Sequence, residues 1–150
     1  MYLKNATLLG LAVLISACGQ VNTDSNNHSA LLPHITNAYI VPPVAGRPVT
    51  AGYFTVTNKT LSTFSIANVS APNDSVSVMM HRTVALPDGI MQMQSIRVLD
   101  VKSGEQIAFA PGGYHLMLSG LSSSIDRLLL RFCDAQQRCI DHAFEVKNDA

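Results

Sequence analysis

The sequence of 150 residues contains no tryptophan, only three cysteines and few charged side chains. Charged residues make up 13% of the chain, the formal net charge is zero, and lysine and arginine nowhere form a run. Nucleic acids and anionic membrane surfaces select proteins with clustered basic residues, so this composition argues against both as partners. No nucleophile–base pair and no convergent carboxylate motif stands out, so the sequence gives no support for an enzyme.

The apolar run at residues 6–17 is too short to span a bilayer. It follows Lys4 and leads into Ser16-Ala17-Cys18, which resembles a bacterial lipoprotein processing box. The resemblance implies a signal peptide at 1–17, a lipidated Cys18 at the mature N-terminus, and an exported protein facing the periplasm or the outer surface. Gly19, rather than aspartate, follows the cysteine, which favours the outer membrane in a Gram-negative organism. A short buried helix ending in a cysteine is the alternative.

Residues 18–33 are polar and rich in asparagine and serine, and they predict a flexible tether after the lipidated cysteine. Residues 34–150 are long enough to form one domain with a buried core. In this domain, short alternating apolar and polar runs are separated by glycine and proline turns, without a convincing amphipathic helix. The predicted strands lie at 35–41, 50–58, 62–69, 75–83, 90–99, 106–110, 114–118, 128–132 and 140–146. The pattern predicts an all-β domain, a Greek-key β-sandwich of the Ig-like kind.

Two cysteines remain inside the predicted domain, Cys133 and Cys139, an even number that suits an oxidising compartment. They flank a polar loop of five residues between two apolar runs, so a disulfide between them would close the base of a β-hairpin. Closing so small a loop stabilises a protein by about 2 kcal/mol. A redox-active or copper-carrying dithiol is the alternative. The spacing, which is neither C-x2-C nor C-x3-C, favours the structural disulfide.

Methionine and histidine concentrate in the stretch 79–117, which contains five of the six methionines. Its skeleton is His81, eleven residues, Met93, twenty-one residues, His115, one residue and Met117. Thioether sulfur and neutral imidazole are soft to borderline ligands, and together they favour Cu(I) over the oxygen-seeking ions. The stretch therefore predicts a copper site in an exported β-domain.

Strand periodicity indicates which of these side chains share a face. Met91 and Met93 leave the same face of their predicted strand, and His115 and Met117 do so on theirs. The strand of His81 turns directly into the strand of the two methionines, so antiparallel pairing would place His81 beside them. The His115 strand must lie next to both for the ligands to converge.

Two further methionines precede His81 in its strand. Met80 has the opposite parity to His81, which predicts that it packs in the core. Met79 shares the parity of His81 and is an auxiliary candidate for a thioether ligand, as is Met91.

Three segments are similar to the periplasmic copper chaperones of the PCuAC family. They are 81–83, 88–93 and 111–118, which read HRT, DGIMQM and PGGYHLML. Upstream, 51–58 (AGYFTVTN) is similar to an early strand of that family, so the resemblance extends over 35–146. The combined spacing of the segments is more specific than any one of them.

By position, the resemblance implies that the copper ligands are His81, Met93, His115 and Met117. In the family signature, about ten residues separate the first histidine from the methionine, whereas eleven separate His81 from Met93 here. The extra residue is expected in the turn at 85–87, because hairpin loops tolerate insertion. The intact spacing to His115 favours Met93 over the neighbouring methionine, and the choice between the two stays open at this point.

The resemblance also implies a cupredoxin-like fold, a non-enzymatic protein, and Cu(I) held near the surface. Its expected partner is a copper-receiving protein, such as the subunit with the dinuclear copper centre of cytochrome c oxidase, or another copper-delivery protein. Copper buffering or tolerance fits the same ligands, as does a metal-free structural lipoprotein with a methionine-rich core. A blue-copper electron carrier needs a cysteine thiolate beside two histidines, and no cysteine lies within 81–117.

Overall fold

The computed structural model describes residues 32–72 and 75–147, and these residues form β-strands and no helix, as predicted. The strands are β1 His34–Ile40, β2 Val49–Thr57, β3 Phe64–Ile66, β4 Asn68–Ser70, β5 Ser77–Ala85, β6 Met91–Ile96, β7 Leu99–Val101, β8 Gln106–Phe109, β9 Tyr114–Ser119, β10 Arg127–Cys133 and β11 Cys139–Val146. A membrane-crossing helix is accordingly absent from these two ranges. The predicted signal peptide, the lipidated Cys18 and the tether up to residue 31 lie outside them, so the division into leader, tether and domain stays a prediction.

Within the described residues, nine strands form one curled sheet in the order β4-β10-β11-β1-β2-β8-β9-β5-β6, and β3 and β7 form a second, two-stranded sheet. Most neighbouring strands are antiparallel, whereas β1 with β11 and β8 with β9 are parallel. β2 pairs with β9 over its first half and with β8 over its second half. This curled sheet confirms the predicted all-β fold class.

The core is built from alternate residues of the strands. β2 shows the rule, since Phe54 and Val56 are almost fully buried while Thr55 between them is partly exposed. The ring of Phe54 packs on that of Phe109, with 4.1 Å between the centroids. Gly52 lies on the same side of β2 at a close approach to β9, because a Cβ there would lie 3.1 Å from Cδ1 of Leu118. The spacing between these strands therefore depends on a residue without a side chain.

Two predicted strands, 62–69 and 90–99, are each divided in the structure. The first gives β3 and β4, the second gives β6 and β7, and in both cases the two halves belong to different sheets. The burial pattern of the first segment shows the reason. Phe64 and Val69 are both buried although they differ in parity, so the alternation shifts by one residue between them. The other predicted strands match observed ones within one or two residues.

β10 and β11 form a hairpin that the predicted disulfide closes. Cys133 and Cys139 are register partners at its end, and their sulfur atoms are bonded. Asp134 holds the loop between them: it is 2% exposed, and its carboxylate accepts hydrogen bonds from the N–H of Gln136 and from the backbone and guanidinium N–H of Arg138. The cysteines therefore have a structural role in the fold, as the spacing favoured.

Candidate metal centre

Strands β9, β5 and β6 lie side by side at one end of the nine-stranded sheet, with β5 in the middle and β6 at the edge. β5 carries His81, β6 carries Met91 and Met93, and β9 carries His115 and Met117. The three separated segments of the predicted copper motif are therefore neighbours in the fold. Their register decides which side chains meet, because directly paired residues project from the same face of a sheet.

His81 and His115 form the centre of the arrangement. They are register partners across β5 and β9, so both rings leave the same face of the sheet. The ring centroids lie 5.9 Å apart, with 20° between the ring planes, and the residues are 8% and 9% exposed. Two imidazoles from adjacent strands thus stack beside each other with little contact to solvent.

The orientation of the His115 ring is fixed by the turn at 110–113. Gly112 has a φ of +78°, which glycine adopts without strain. The carbonyl oxygen of Gly113 accepts hydrogen bonds from the N–H of Thr83 and from Nδ1 of His115, each at 3.1 Å. Because a carbonyl only accepts, Nδ1 of His115 carries a proton, and Nε2 of the neutral ring keeps its lone pair for a metal ion.

The ring of His81 has a different environment. Its Nδ1 is buried and has no hydrogen-bond partner among the residues that the structure describes. A buried polar atom without a partner costs about 1–3 kcal/mol. A metal ion bound at this nitrogen would remove that cost, so the orphaned atom beside a second histidine fits a metal ion.

Two thioethers lie one step further along the same two strands. Met117 follows His115 by two residues and shares its face, and its register partner on β5 is Met79. Met79 in turn precedes His81 by two residues on that face. Four soft donors therefore occupy four adjacent positions of the sheet. From parity alone, Met79 is an auxiliary candidate. The register of β5 with β9 cannot be read from the sequence, and it places Met79 beside His81 and opposite Met117.

The edge strand places its two methionines differently. Met93 is the register partner of Thr83, so it lies diagonally from His81, towards the end of the hairpin. Met91 pairs with Ala85, two residues further from the histidines. Both methionines are largely exposed, 63% for Met93 and 59% for Met91. The structure thus brings Met93 beside one predicted ligand and leaves Met91 apart from all of them.

The opposite face of these strands belongs to the core. Met80 and Leu116 are register partners and are 4% and 0% exposed, which confirms that Met80 packs in the core. Arg82 has the same parity as Met80, and its guanidinium donates to Oε1 of Gln94 at 3.1 Å. The positive charge of Arg82 therefore projects from the face opposite the two histidines.

Harder metal ligands are missing from this region. In residues 32–72 and 75–147, no group of three or more His, Cys, Asp and Glu side chains is placed to hold a metal ion. The two other histidines of this part of the chain, His34 and His142, lie on β1 and β11. Burial and the charge of Arg127 lower the pKa of His142. A metal site on β5 and β9 therefore depends on thioethers, which selects for a soft ion.

The family model LpqE-like, whose description is of a lipoprotein, matches residues 34–136. The matched range begins with β1 and ends inside the loop between the two bonded cysteines, so Cys139 lies beyond it. A search of curated protein sequences gives no match.

Solved structures of PCuAC domains have a similar fold. The copper-bound PCuAC domain from PmoF2 matches with a TM-score of 0.61 and 15% identity over 79% of this chain and 100% of that one. The apo form of the PmoF2 domain matches with 0.60 and 18% identity over 77% and 90%. Apo-DR1885 from Deinococcus radiodurans matches with 0.58 and 20% identity over 99% and 97%. These likenesses confirm the cupredoxin-like fold that the sequence resemblance implies.

Proposed function

The chain belongs to the LpqE-like family, and on that basis we propose that it is an exported chaperone that binds Cu(I) and passes it to a receiving protein. The observation that carries the proposal is the pairing of His81 with His115 on one face of the sheet, with Met117 two residues away. The similar PCuAC domain from PmoF2 is copper-bound, which supports copper as the cargo.

The donor set suits a carrier of Cu(I). Imidazole nitrogens of His81 and His115 and the thioether of Met117 are neutral and soft to borderline, so they favour Cu(I) without a thiolate. Met93, the fourth ligand that the PCuAC resemblance implies, lies one diagonal position from His81 and is exposed. A site without thiolate can release its ion to a stronger sulfur site by ligand exchange, and no catalytic step is required of the protein.

In this proposal the protein works in the periplasm and is anchored by acyl chains on Cys18. The lipoprotein description of the family supports the anchor. The receiving protein is the subunit that carries the dinuclear copper centre of cytochrome c oxidase, or another copper-delivery protein. Copper buffering uses the same ligands and differs only in having no acceptor.

An anaerobic titration of the domain with Cu(I), against a competing chelator, tests copper binding. We expect one tightly bound equivalent, and we expect it to disappear when His115→Ala and Met117→Leu are combined. His142→Ala, which removes a histidine on β11, is the matched control and keeps the equivalent. Thermal unfolding of both variants verifies that the domain remains folded. Retention of tight binding in the double variant contradicts the proposal.

A second experiment separates delivery from buffering. The copper-loaded domain is mixed with the soluble copper-free domain of the oxidase subunit, and the distribution of copper is measured after the two proteins are separated. Delivery predicts that copper moves to the oxidase domain faster than free chelated Cu(I) does. Copper that stays on the loaded protein supports buffering.

A further inference from the structure

We propose that the edge strand β6 and the cleft beside it bind an extended acidic segment of the copper-receiving protein. The inference rests on the proposed function, because the partner is the protein that takes the copper, and it adds the chemistry by which that partner is recognised. In the described part of the chain, two arginines without an ion-pair partner lie beside a strand with a free edge, and this juxtaposition carries the inference.

The cleft lies beside β6 and has a volume of about 480 Å³. Arg82, Gln94 and Tyr114 line one part of it, and they are register partners across β5, β6 and β9. They therefore project from the face opposite the two histidines. Arg97, in the segment between β6 and β7, lines the other part, and both arginines are exposed. The cleft thus combines two cationic side chains with polar groups that donate and accept hydrogen bonds.

Neither arginine of the cleft has its charge balanced by a carboxylate of the described residues. The guanidinium of Arg82 donates from Nε and from Nη2 to Oε1 of Gln94, at 3.3 and 3.1 Å, and this amide oxygen is neutral. No ion pair within the two described ranges includes Arg82 or Arg97. Asp100, three residues after Arg97, instead accepts a hydrogen bond from Oγ of Ser65 at 2.6 Å. Two guanidinium groups are therefore available for external carboxylates, which arginine binds through two parallel hydrogen bonds.

The edge of β6 supplies backbone groups for the same partner. Among the strands that the structure describes, only β5 pairs with β6. An extended segment that adds to such an edge gains main-chain hydrogen bonds, and its side chains give specificity. Arg82 belongs to β5, but its guanidinium reaches the side chain of Gln94 on β6, so its charge lies at the edge strand. Met93 directly precedes Gln94, so a segment docked along β6 lies next to a ligand that the PCuAC resemblance implies.

The two faces of β6 indicate what the segment contains. Gln94 projects towards the cleft and its arginines, whereas Met91 and Met93 project from the other face and are largely exposed. A strand added to β6 directs every second side chain to each face. A segment in which acidic residues alternate with apolar ones therefore complements both faces, with its carboxylates on the side of Arg82 and Arg97.

The number of charges favours a protein segment over a membrane surface. Anionic lipids are bound by clusters of about four to eight lysines and arginines. The lining of the cleft contains two arginines, and the net charge of the chain is zero. The docking surface therefore suits a few carboxylates at defined positions rather than a layer of negative charge.

A labelled synthetic peptide of ten residues, in which glutamate alternates with valine or threonine, tests the docking surface. Its binding to the domain is measured by fluorescence anisotropy at low ionic strength, where exposed charges are least screened. We expect the glutamate peptide to bind about tenfold more tightly than a matched peptide with glutamine in place of glutamate, because exposed ion pairs contribute modestly. Bound peptide should also slow amide hydrogen exchange in β6, since the added strand protects its edge.

Charge reversal identifies the arginines that act. Arg82→Glu combined with Arg97→Glu should abolish binding of the glutamate peptide. Arg47→Glu combined with Arg127→Glu changes the net charge equally at exposed positions outside the cleft, so it is the matched control and should keep the binding. Arg82→Gln with Arg97→Gln gives the same test without repulsion if the reversed variant does not fold.

The outcomes separate this inference from the proposed function. The inference is overturned if the glutamate peptide does not bind, or if the charge-reversed variant binds it as tightly as the wild type does. It is also overturned if the two arginines are needed for binding to phosphatidylglycerol vesicles and not to the peptide. Chelator competition should give the same Cu(I) affinity for the wild type and the charge-reversed variant, because Arg82 projects away from the histidines. If the wild type binds the peptide and no Cu(I), the proposed function fails, and the partner is not a copper receiver.

Discussion

The β10–β11 hairpin and the β5–β6 hairpin are both long antiparallel pairs, but they are held in different ways. The first lies inside the nine-stranded sheet, between β4 and β1, and it carries a disulfide and a buried loop aspartate. The second ends at the sheet edge, and its turn is held by the N–H of Leu86, which donates to the carbonyl of Ile90 at 2.8 Å, and by the carboxylate of Asp88. The disulfide and the buried aspartate thus stabilise the β10–β11 hairpin, which carries no candidate ligand. In the part of the chain that the structure describes, β6, the strand of Met93, pairs with β5 alone.

The largest expected effect comes from removing a core side chain of the reinforced hairpin. Phe132 on β10 is fully buried, and its ring lies 5.0 Å from that of Phe54. Phe132→Ala should therefore lower the free energy of unfolding by about 3–5 kcal/mol. Met93→Ala on the edge strand should change it by less than about 0.5 kcal/mol, because that side chain is largely exposed.

Urea unfolding of the two variants measures this difference. If Phe132→Ala does not fold, Phe132→Leu gives a smaller loss that is still larger than that of Met93→Ala. Equal losses at the two positions would show that the hairpins do not differ as described.

Removing the disulfide should lower the free energy of unfolding by a smaller amount. Cys133→Ala combined with Cys139→Ala opens a short loop, so the free energy of unfolding should fall by about 2 kcal/mol. Cu(I) affinity should stay unchanged, since the bond closes the β10–β11 hairpin and the candidate ligands lie on other strands. Urea unfolding under oxidising conditions and chelator competition give the two quantities. A joint loss of stability and affinity would contradict the separation of the two regions.

The smallest expected effect is a dependence of the free energy of unfolding on pH. Its source is Asp134, in the loop between the two bonded cysteines. Burial raises the pKa of Asp134, but the hydrogen bonds from Arg138 and Gln136 outweigh it, so the pKa lies below its ordinary value of 3.8. A carboxyl with a lowered folded-state pKa stabilises the fold fully above its unfolded-state pKa, and that contribution is lost as the pH falls through the folded-state pKa. In urea unfolding at neutral and acidic pH, the difference between wild type and Asp134→Asn should therefore narrow below about pH 4. A difference that stays constant with pH would rule out this role of Asp134.

Most of the fold follows from local patterns of the sequence, and the register between strands does not. Alternation predicts the strands and assigns Met80 to the core, because parity depends only on neighbours along the chain. The division of the segment 62–69 between two sheets depends on contacts made elsewhere. For the candidate site, parity predicts that His115 and Met117 share a face of their strand, and only the register of β5 with β9 adds His81 to that face. The pairing of Met79 with Met117 requires the alignment of β5 with β9, which no local pattern contains.

A single carbonyl oxygen, that of Gly113, serves both strands that carry the histidines, because it accepts hydrogen bonds from Thr83 on β5 and from the ring of His115 on β9. Lengthening the 110–113 turn would rotate that imidazole and break the link between the strands at the same time. The hydrogen bonds given above for the 86–90 turn join residues within that turn. A longer turn between His81 and Met93 would leave the carbonyl of Gly113 in place, whereas an insertion immediately before His115 would displace it. The eleven residues between His81 and Met93 include the 86–90 turn and not the turn that holds the ring of His115.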